Sequence, residues 1–545
     1  MRKSIAYVLA VVLAVSCIDN DLPLPVVTGA FYSVAVEDAD EVVVDKYLSQ
    51  VRISLTENAD PRKVKIVSAS FENEGTTTEP PIVGTHDLSS PLTVILRTYQ
   101  DYEWTVVATQ NIERYFRVDG QIGPSVVDAP NRRAIAYVGA GADLRNISVT
   151  ALKLGPANAT SYSISPSDMK DFTEGIKVDI TYRGITEQWS LYVENSDVSV
   201  AVALIDPWTT RARVVGSGAE GKECGFRYRP TLSQEWSVCA NVPLVDGNFT
   251  AFLENLLPET SYECKAYNGD DESEIYIFET EPATQIPNRG FEGYSPAESK
   301  YYYSWFDPSS SDPTVREKWW DSGNAGSTTV GSSYCVAEPD TKDFKEGSTS
   351  AKLSSHNVIV KFAAGNTFAG EFVKVVGTKG GILNFGRPWT LRPRALRLWV
   401  KYECGSVDII DEFPADDPVN KGDPDRASIW IALGDWDYKR YGGTSQCPVQ
   451  INTTQKSTFF DRQGESVIAY GEFEANTSSP SWKDKPQVVD MDGNGWALLE
   501  IPLSYRDETR HPTHMIISIA GSKLGDYFTG SSKSRMWVDD VTLVY

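Results

Sequence analysis

Trp436-Asp437-Tyr438-Lys439-Arg440-Tyr441 sets three aromatic rings among one acid and two bases, between two Gly-containing turns. The C–H faces of a sugar stack on exposed rings while carboxylate, amide and guanidinium groups bond its hydroxyls, so this mixture suits carbohydrate contact. Trp436, Asp437, Tyr438, Arg440 and Tyr441 are therefore candidate ligand residues. Trp482 joins them because its surroundings, TSSPSWKDKP, read as an exposed polar loop, and Trp319-Trp320-Asp321 is a third group of the same kind. For each group the competing reading is a ring buried beneath its own loop. Trp399 and Trp430 alternate with Ile and Leu in strand-like runs and read as core.

Other chemistry is scarce. Glycoside hydrolysis needs two carboxylates facing each other across a cleft, at a separation sequence does not give. Asp435 with Asp437, and Glu472 with Glu474, are i, i+2 pairs that would share one strand face, yet among 74 acids such pairs arise by chance. No catalytic residue is assigned on that basis. There is no G-x-S-x-G elbow, Walker loop or CxxC, and the four His include no HExxH; His511 and His514 merely flank Pro512. Beyond Cys17, the cysteines fall in two sets of three, 224, 239 and 264, then 335, 404 and 447. Pairing within a set leaves one thiol over, and Cys224 with Cys264 is the favoured bridge.

These residues need elements to hold them, and the composition limits which. The chain of 545 residues is long enough for three to four domains, each with its own core. Lys and Arg number 51 against 74 Asp and Glu, and a net charge of -23 repels polyanions, which excludes nucleic acid as a partner.

The N-terminal MRKSIAYVLAVVLAVSC has two bases, an apolar run and then small residues, the pattern of a secretory signal over 1–17. Ala14-Val15-Ser16-Cys17 resembles a bacterial lipobox, with Ala where Leu is usual three places before the Cys. An acylated Cys17 would tie the chain to membrane lipid, and an ordinary signal with an incidental Cys is the alternative. The acids of Ile18-Asp19-Asn20-Asp21 resemble the signal that sends Bacteroidetes lipoproteins to the outer face of the outer membrane. That resemblance implies a cell-surface location.

The first 195 residues repeat at an offset of 83 to 85: VVD at 43 and at 126, VKIVSASF at 64 and ISVTALKL at 147, Trp104 and Trp189. Each copy has short alternating runs between Pro, Gly, Asn and Asp turns, which reads as an immunoglobulin-like β-sandwich, at 25–110 and 111–198. Two copies make a stalk of beads rather than a solenoid. Residues 199–284 resemble a fibronectin type III domain, on Trp208 and on the corner Leu256-Leu257-Pro258-Glu259-Thr260-Ser261-Tyr262. Gln285-Ile286-Pro287-Asn288 then reads as a hinge. From 286 to 545 the strand candidates alternate with Gly and Asn turns at the density of a jelly roll, so the fold class is all-β throughout.

PNRGFEGY at 287, FAAGNTFAGEFVKV at 362, VIAYGEFE at 467 and SKLGDYFTGSSKSRMWVDDVTLVY at 522 together resemble the putative carbohydrate metabolism domain of Bacteroidetes surface lipoproteins. The resemblance implies a jelly roll of the carbohydrate-binding kind. Jelly-roll modules of that kind often hold a structural Ca2+ between an Asp of the closing strand and a Glu near the start; Glu292 and Asp540 match those places. Adjacent Asp539 and Asp540 are otherwise out of character in a strand, where one could face solvent and the other bond a turn amide. The function expected is glycan binding by the last domain, spaced from the membrane by the other three. A glycan-cleaving enzyme and an adhesin or scaffold are the alternatives.

Overall fold

The computed structural model describes residues 29–545 apart from 47, 158–159, 297–302, 330, 338–342, 359–360 and 378. The leader and Cys17 lie outside the described residues. Strands dominate, helices are single turns, and among the described residues no helix is long and apolar enough to cross a membrane.

Buried apolar side chains gather in chain order over residues 30–106, 116–193, 200–278 and 286–543. In each of the first two sandwiches one strand pair is parallel: Gln50–Leu55 beside Asp101–Gln110, and Arg133–Gly139 beside Ile185–Ser196. Trp104 and Trp189 are buried at equivalent places on these pairs.

The third sandwich has the corner its sequence suggests: the Tyr262 hydroxyl accepts the Leu257 N–H at 2.9 Å, and its ring stacks on Phe278. Its cysteines are all free. Cys224 faces Asn268 across the ladder and Cys264 faces Tyr228, four residues further along the same strand. That register sets the two thiols on the order of 13 Å apart along the strands, too far for the expected bridge. Trp208 is also placed differently from a core Trp. It is buried, but against Tyr505 of the last domain, with centroids 4.9 Å apart, and beneath the guanidinium groups of Arg211 and Arg392.

The last domain is a jelly-roll sandwich of two antiparallel sheets. One is centred on Asn366–Val376, His514–Ala520, Ala427–Gly434 and Val467–Ala475; the other on Ala351–Ser354, Arg535–Val544, Ala395–Glu403 and Trp496–Pro502. Between them lies a dry core including Trp305, Trp320, Tyr402 and Trp482. No hinge leads into it: the Gln285 amide accepts the Leu543 N–H at 2.7 Å and donates to the Leu543 carbonyl at 3.0 Å, and Ile286 is in the core.

The paired acids mark a bulge. Trp399 faces Asp539 and Arg397 faces Thr542, so Asp540 and Val541 together oppose one residue. Asp540 takes the left-handed φ of 47°, which Asp tolerates better than most residues. Asp539 shares the outer face with Trp399, while Val538 and Val541 enter the core; it is fully buried beneath the 345–346 loop and accepts the N–H groups of Lys345, Glu346 and Asp540 at 2.6, 2.9 and 2.7 Å. The calcium expectation does not fit these residues. Asp540 is ion-paired with Arg289, and Glu292 accepts the Ser348 N–H and hydroxyl and the Thr349 N–H at 2.8, 2.6 and 3.1 Å. A guanidinium and three N–H or O–H donors already occupy the oxygens a metal would need, and among the described residues no acid, His and Cys group could hold one.

The four units do not form an extended stalk. Arg183 of the second sandwich donates to Glu57 O and Gln110 Oε1 of the first, at 2.7 and 3.0 Å. The second meets the third where Gly247 lies on Gly123, both at positive φ; a Cβ on Gly247 would sit 2.3 Å from the Gly123 carbonyl. The third is locked to the last by Arg392, wholly buried and bidentate to Asp206 at 2.9 and 3.0 Å. The first returns to the last: buried Asp45 meets Arg440 at 3.1 Å, and Glu465 bonds Arg52 at 2.7 Å and pairs with Arg440. The chain closes on itself.

Two tests follow. Removing Arg392 strips buried Asp206 of its bidentate partner and leaves it the longer contacts of Arg213 at 3.9 Å and His511 at 3.4 Å, so Arg392→Ala should cost about 3 kcal/mol and split thermal unfolding of the full chain into separate transitions in calorimetry. Burial pushes the Asp539 carboxyl up to about 6 against its three N–H donors. A folded pKa above the unfolded 3.8 means that the native state holds the proton longer, so stability falls as pH rises from about 4 to 6, by up to roughly 3 kcal/mol. Denaturant melts at pH 4.5 and 7.5 should show this decline in the native protein and a flatter dependence in Asp539→Asn, with no shift in Tm on adding calcium or EDTA.

Candidate functional site

The sheet centred on Ala427–Gly434 has two apolar faces, and only one meets the other sheet. Its odd-numbered residues, Ile429, Ile431 and Leu433, enter the core between the sheets. The even-numbered ones face outward, where antiparallel register arranges them in rows. One row runs Phe368, Ser518, Trp430, Glu472; the next Asn366, Ala520, Ser428, Glu474; a third Ile516, Ala432, Tyr470. Neighbouring strands lie about 4.8 Å apart, so the first two rows are strips mixing apolar, polar and carboxylate groups, and the third is apolar up to the Tyr470 phenol.

Two segments fold over this face and make it a cleft of about 470 Å3. The first brings Phe459, Phe460 and Arg462. Phe460 stacks on Trp430 with centroids 4.6 Å apart and 14° between the rings. Arg462 donates to Glu472 at 2.6 Å, and the Tyr470 hydroxyl donates to the same oxygen at 2.9 Å. Burial, then Glu472, push the Tyr470 phenol up, so it stays a neutral donor. The second wall is the GDYFTGSS stretch, through Leu524 to Tyr527. One buried carboxylate pins it: Asp425 Oδ2 accepts the Ser522 and Ser534 hydroxyls at 2.6 and 2.7 Å and the Ser531 N–H at 2.9 Å. Burial pushes Asp425 up, and these donors oppose the shift. Lys523 reaches across the cleft edge to Glu474 at 2.8 Å and Asp417 at 3.3 Å, and Arg426 holds Asp417 at 2.8 Å.

The arrangement can set a sugar face against the aromatic wall of Trp430, Phe460 and Tyr470 and bond hydroxyls through Ser428, Ser518, Asn366 and the ion-paired carboxylates. Asp416, Asp417, Glu472, Glu474 and Asp526 outnumber Arg426, Arg462 and Lys523, so the cleft disfavours anionic ligands.

Apart from Glu472 and Glu474, which line the cleft, the residues singled out from sequence for chemistry lie elsewhere. Trp482 is fully buried between Tyr402 and Phe473, its indole N–H on Thr477 O at 2.8 Å; it is core, not a loop platform. Trp436 is also buried, edge-on to Phe460. Asp437 caps the single-turn helix Tyr438–Tyr441 by accepting the Lys439 N–H at 2.9 Å. Tyr438 is exposed but outside the cleft, and the Tyr441 hydroxyl bonds Ser466 at 3.0 Å. Arg440 belongs to the contact with the first sandwich. Trp320 and Asp321 are buried too, and Trp319 packs on Trp389. Asp435 and Asp437 share no strand face, because the strand ends at Gly434, and Asp435 is paired with Arg510 at 2.6 Å. Glu472 and Glu474 do share one. Trp430 and Trp399, read as core, are both on outward faces, Trp399 beneath the Lys345 ammonium at 4.2 Å.

Residues 290–544 match the family described as putative carbohydrate metabolism domain. No curated protein matches the chain. Among solved structures, a putative glycoside hydrolase from Bacteroides thetaiotaomicron is 11% identical, with 96% of this chain and 98% of that one covered and a TM-score of 0.30. A putative glycoside hydrolase from Bacteroides vulgatus is 18% identical over 47% of this chain and 96% of that one, at a TM-score of 0.32. A SusE-like protein is 9% identical over 63% of this chain and 97% of that one, at a TM-score of 0.22. The match takes in nearly all of the last domain and none of the three sandwiches before it.

Proposed function

We propose that the outward cleft of the last domain binds a neutral glycan without cleaving it, on a lipoprotein held at the cell surface through Cys17. The observation that carries the reading is the row pattern: an indole and a phenol set among Ser, Asn and carboxylate groups on one concave face, in a domain of a carbohydrate-related family. Ion pairing of the acids favours binding, because Glu472 and Glu474 are fixed by Arg462 and Lys523 as hydroxyl acceptors. Scaffolding alone does not account for a concave face so furnished.

Hydrolysis is favoured by one observation only. Glu472 and Glu474 face the same cleft about 6.6 Å apart along the strand, near the lower end of the separation used by inverting glycosidases. Against it, both lie on one wall beside cations. A general acid needs a carboxyl kept protonated by burial or by a neighbouring anion, and that setting is the opposite.

Affinity gels of neutral glucan, mannan and xylan, with polygalacturonate as the anionic control, test the proposal on the full chain. Retention on a neutral polymer is expected without released reducing sugar, and Trp430→Ala should weaken it by about tenfold or more, roughly 1.4 kcal/mol. Release of reducing sugar that Glu472→Gln or Glu474→Gln abolishes would establish cleavage instead. Cys17→Ser should move the protein from the membrane to the soluble fraction.

A further inference from the structure

The first sandwich and the last domain touch at one charged contact and then part, leaving an open recess of about 780 Å3 between them, larger than the cleft itself. The contact is built from both sides. Asp45, buried, faces Arg440 and Arg52, and Glu465 bonds the same two guanidinium groups. The ion cluster closes two units whose placement the other junctions already hold, so the recess beside it has a defined shape.

Its walls carry the same kinds of group as the cleft. Tyr32 presents a ring that is 69% exposed; opposite lie Tyr441, Phe459 and Phe460, with Gln450 and Gln463 between them. Phe459 and Phe460 line both spaces, so the recess begins on the far side of the segment that walls the cleft. Phe460 stacks on Trp430 on one side and meets Trp436 edge-on, at 6.0 Å, on the other. Acids again prevail, with Glu41, Asp45, Asp461 and Glu465 against Lys46 and Arg440, so both spaces share one preference for uncharged ligands.

We infer that this recess is a second subsite for the same neutral glycan, formed jointly by the first sandwich and the last domain, and that the ligand is a polymer long enough to occupy both spaces. The inference rests on the proposed role of the cleft. It gives the closed arrangement of the chain a use: the N-terminal unit completes the binding surface instead of standing off from it. Two sites on one chain add by raising the local concentration of the second segment once the first is bound, so the gain appears only with ligands long enough to bridge them.

Calorimetric titration of the full chain with cello-, manno- and xylo-oligosaccharides of two to eight units tests this. In the native protein, affinity for the bound series should rise with length beyond the point where the cleft is filled. Tyr32→Ala, at an exposed position, should remove that gain, about tenfold, and leave the shortest ligands unchanged. Arg440→Glu, which breaks the ion cluster, should do the same. An equal loss at every length, or no loss with Tyr32→Ala, overturns the second subsite while the cleft stands. Oligosaccharide binding indifferent to Trp430→Ala overturns the cleft reading, and failure of every oligomer to bind overturns both.

Discussion

Arg392 is the residue on which the architecture turns. Its guanidinium has no exposure, and an isolated charge there would cost several kcal/mol in lost hydration. Asp206 offsets that cost with two parallel hydrogen bonds, the Pro207 carbonyl adds a third at 2.6 Å, and the Trp208 ring lies against its face. Every partner belongs to the third sandwich, whereas Arg392 belongs to the last domain. The two units cannot separate without exposing or orphaning these groups, so their orientation is fixed as firmly as packing within either one. Gln285, bonded on both sides to Leu543, removes the slack that a linker would otherwise provide.

With that joint fixed, the two earlier sandwiches carry the chain back toward the last domain. Each junction has a feature suited to close approach: paired glycines at positive φ between second and third, an arginine donating to a backbone carbonyl between first and second. The return contact of Asp45, Arg52, Arg440 and Glu465 is only partly buried and, standing alone, would contribute little. It closes a body already held in register, so little further freedom is lost when it forms. The contact is therefore effective for its position more than for its strength.

How much of this the sequence discloses depends on where the polar residues fall. VIAYGEFEA alternates cleanly, so its outward Tyr470, Glu472 and Glu474 can be read from the string, and the face they share was visible there. ASIWIALG cannot be read that way. It is apolar on both faces because one packs in the core and the other floors the cleft, so Trp430 resembles any core residue. The reverse holds for Trp482: polar neighbours suggest exposure, yet the Ser479–Ser481 turn folds its ring inward, where the indole N–H reaches a carbonyl. Local composition around a Trp thus reports the solvation of the backbone, not of the ring. The domain class, the repeat offset and the tyrosine corner are local patterns and were legible; the ring of contacts joins residues hundreds of positions apart and leaves no local trace.

The two acids of WVDDV show how such a misfit is resolved. A carboxylate in a strand is unfavourable while the ladder stays regular, because its alternate residues must face a dry core. Inserting one residue lets Val541 follow Val538 into the core and leaves both acids out of it, and Asp540 in the left-handed region is the residue that makes the insertion. Asp539 then satisfies N–H groups of the 345–346 loop that no strand would reach. Its burial raises the cost of ionisation, and the same bonds moderate it, so the closing strand gains a specific partner at the expense of stability near neutral pH. The loop it ties down leads through Glu346 to Arg289, and Arg289 bonds Asp540 in turn. Start and end of the domain are joined by complementary charges already present in the chain.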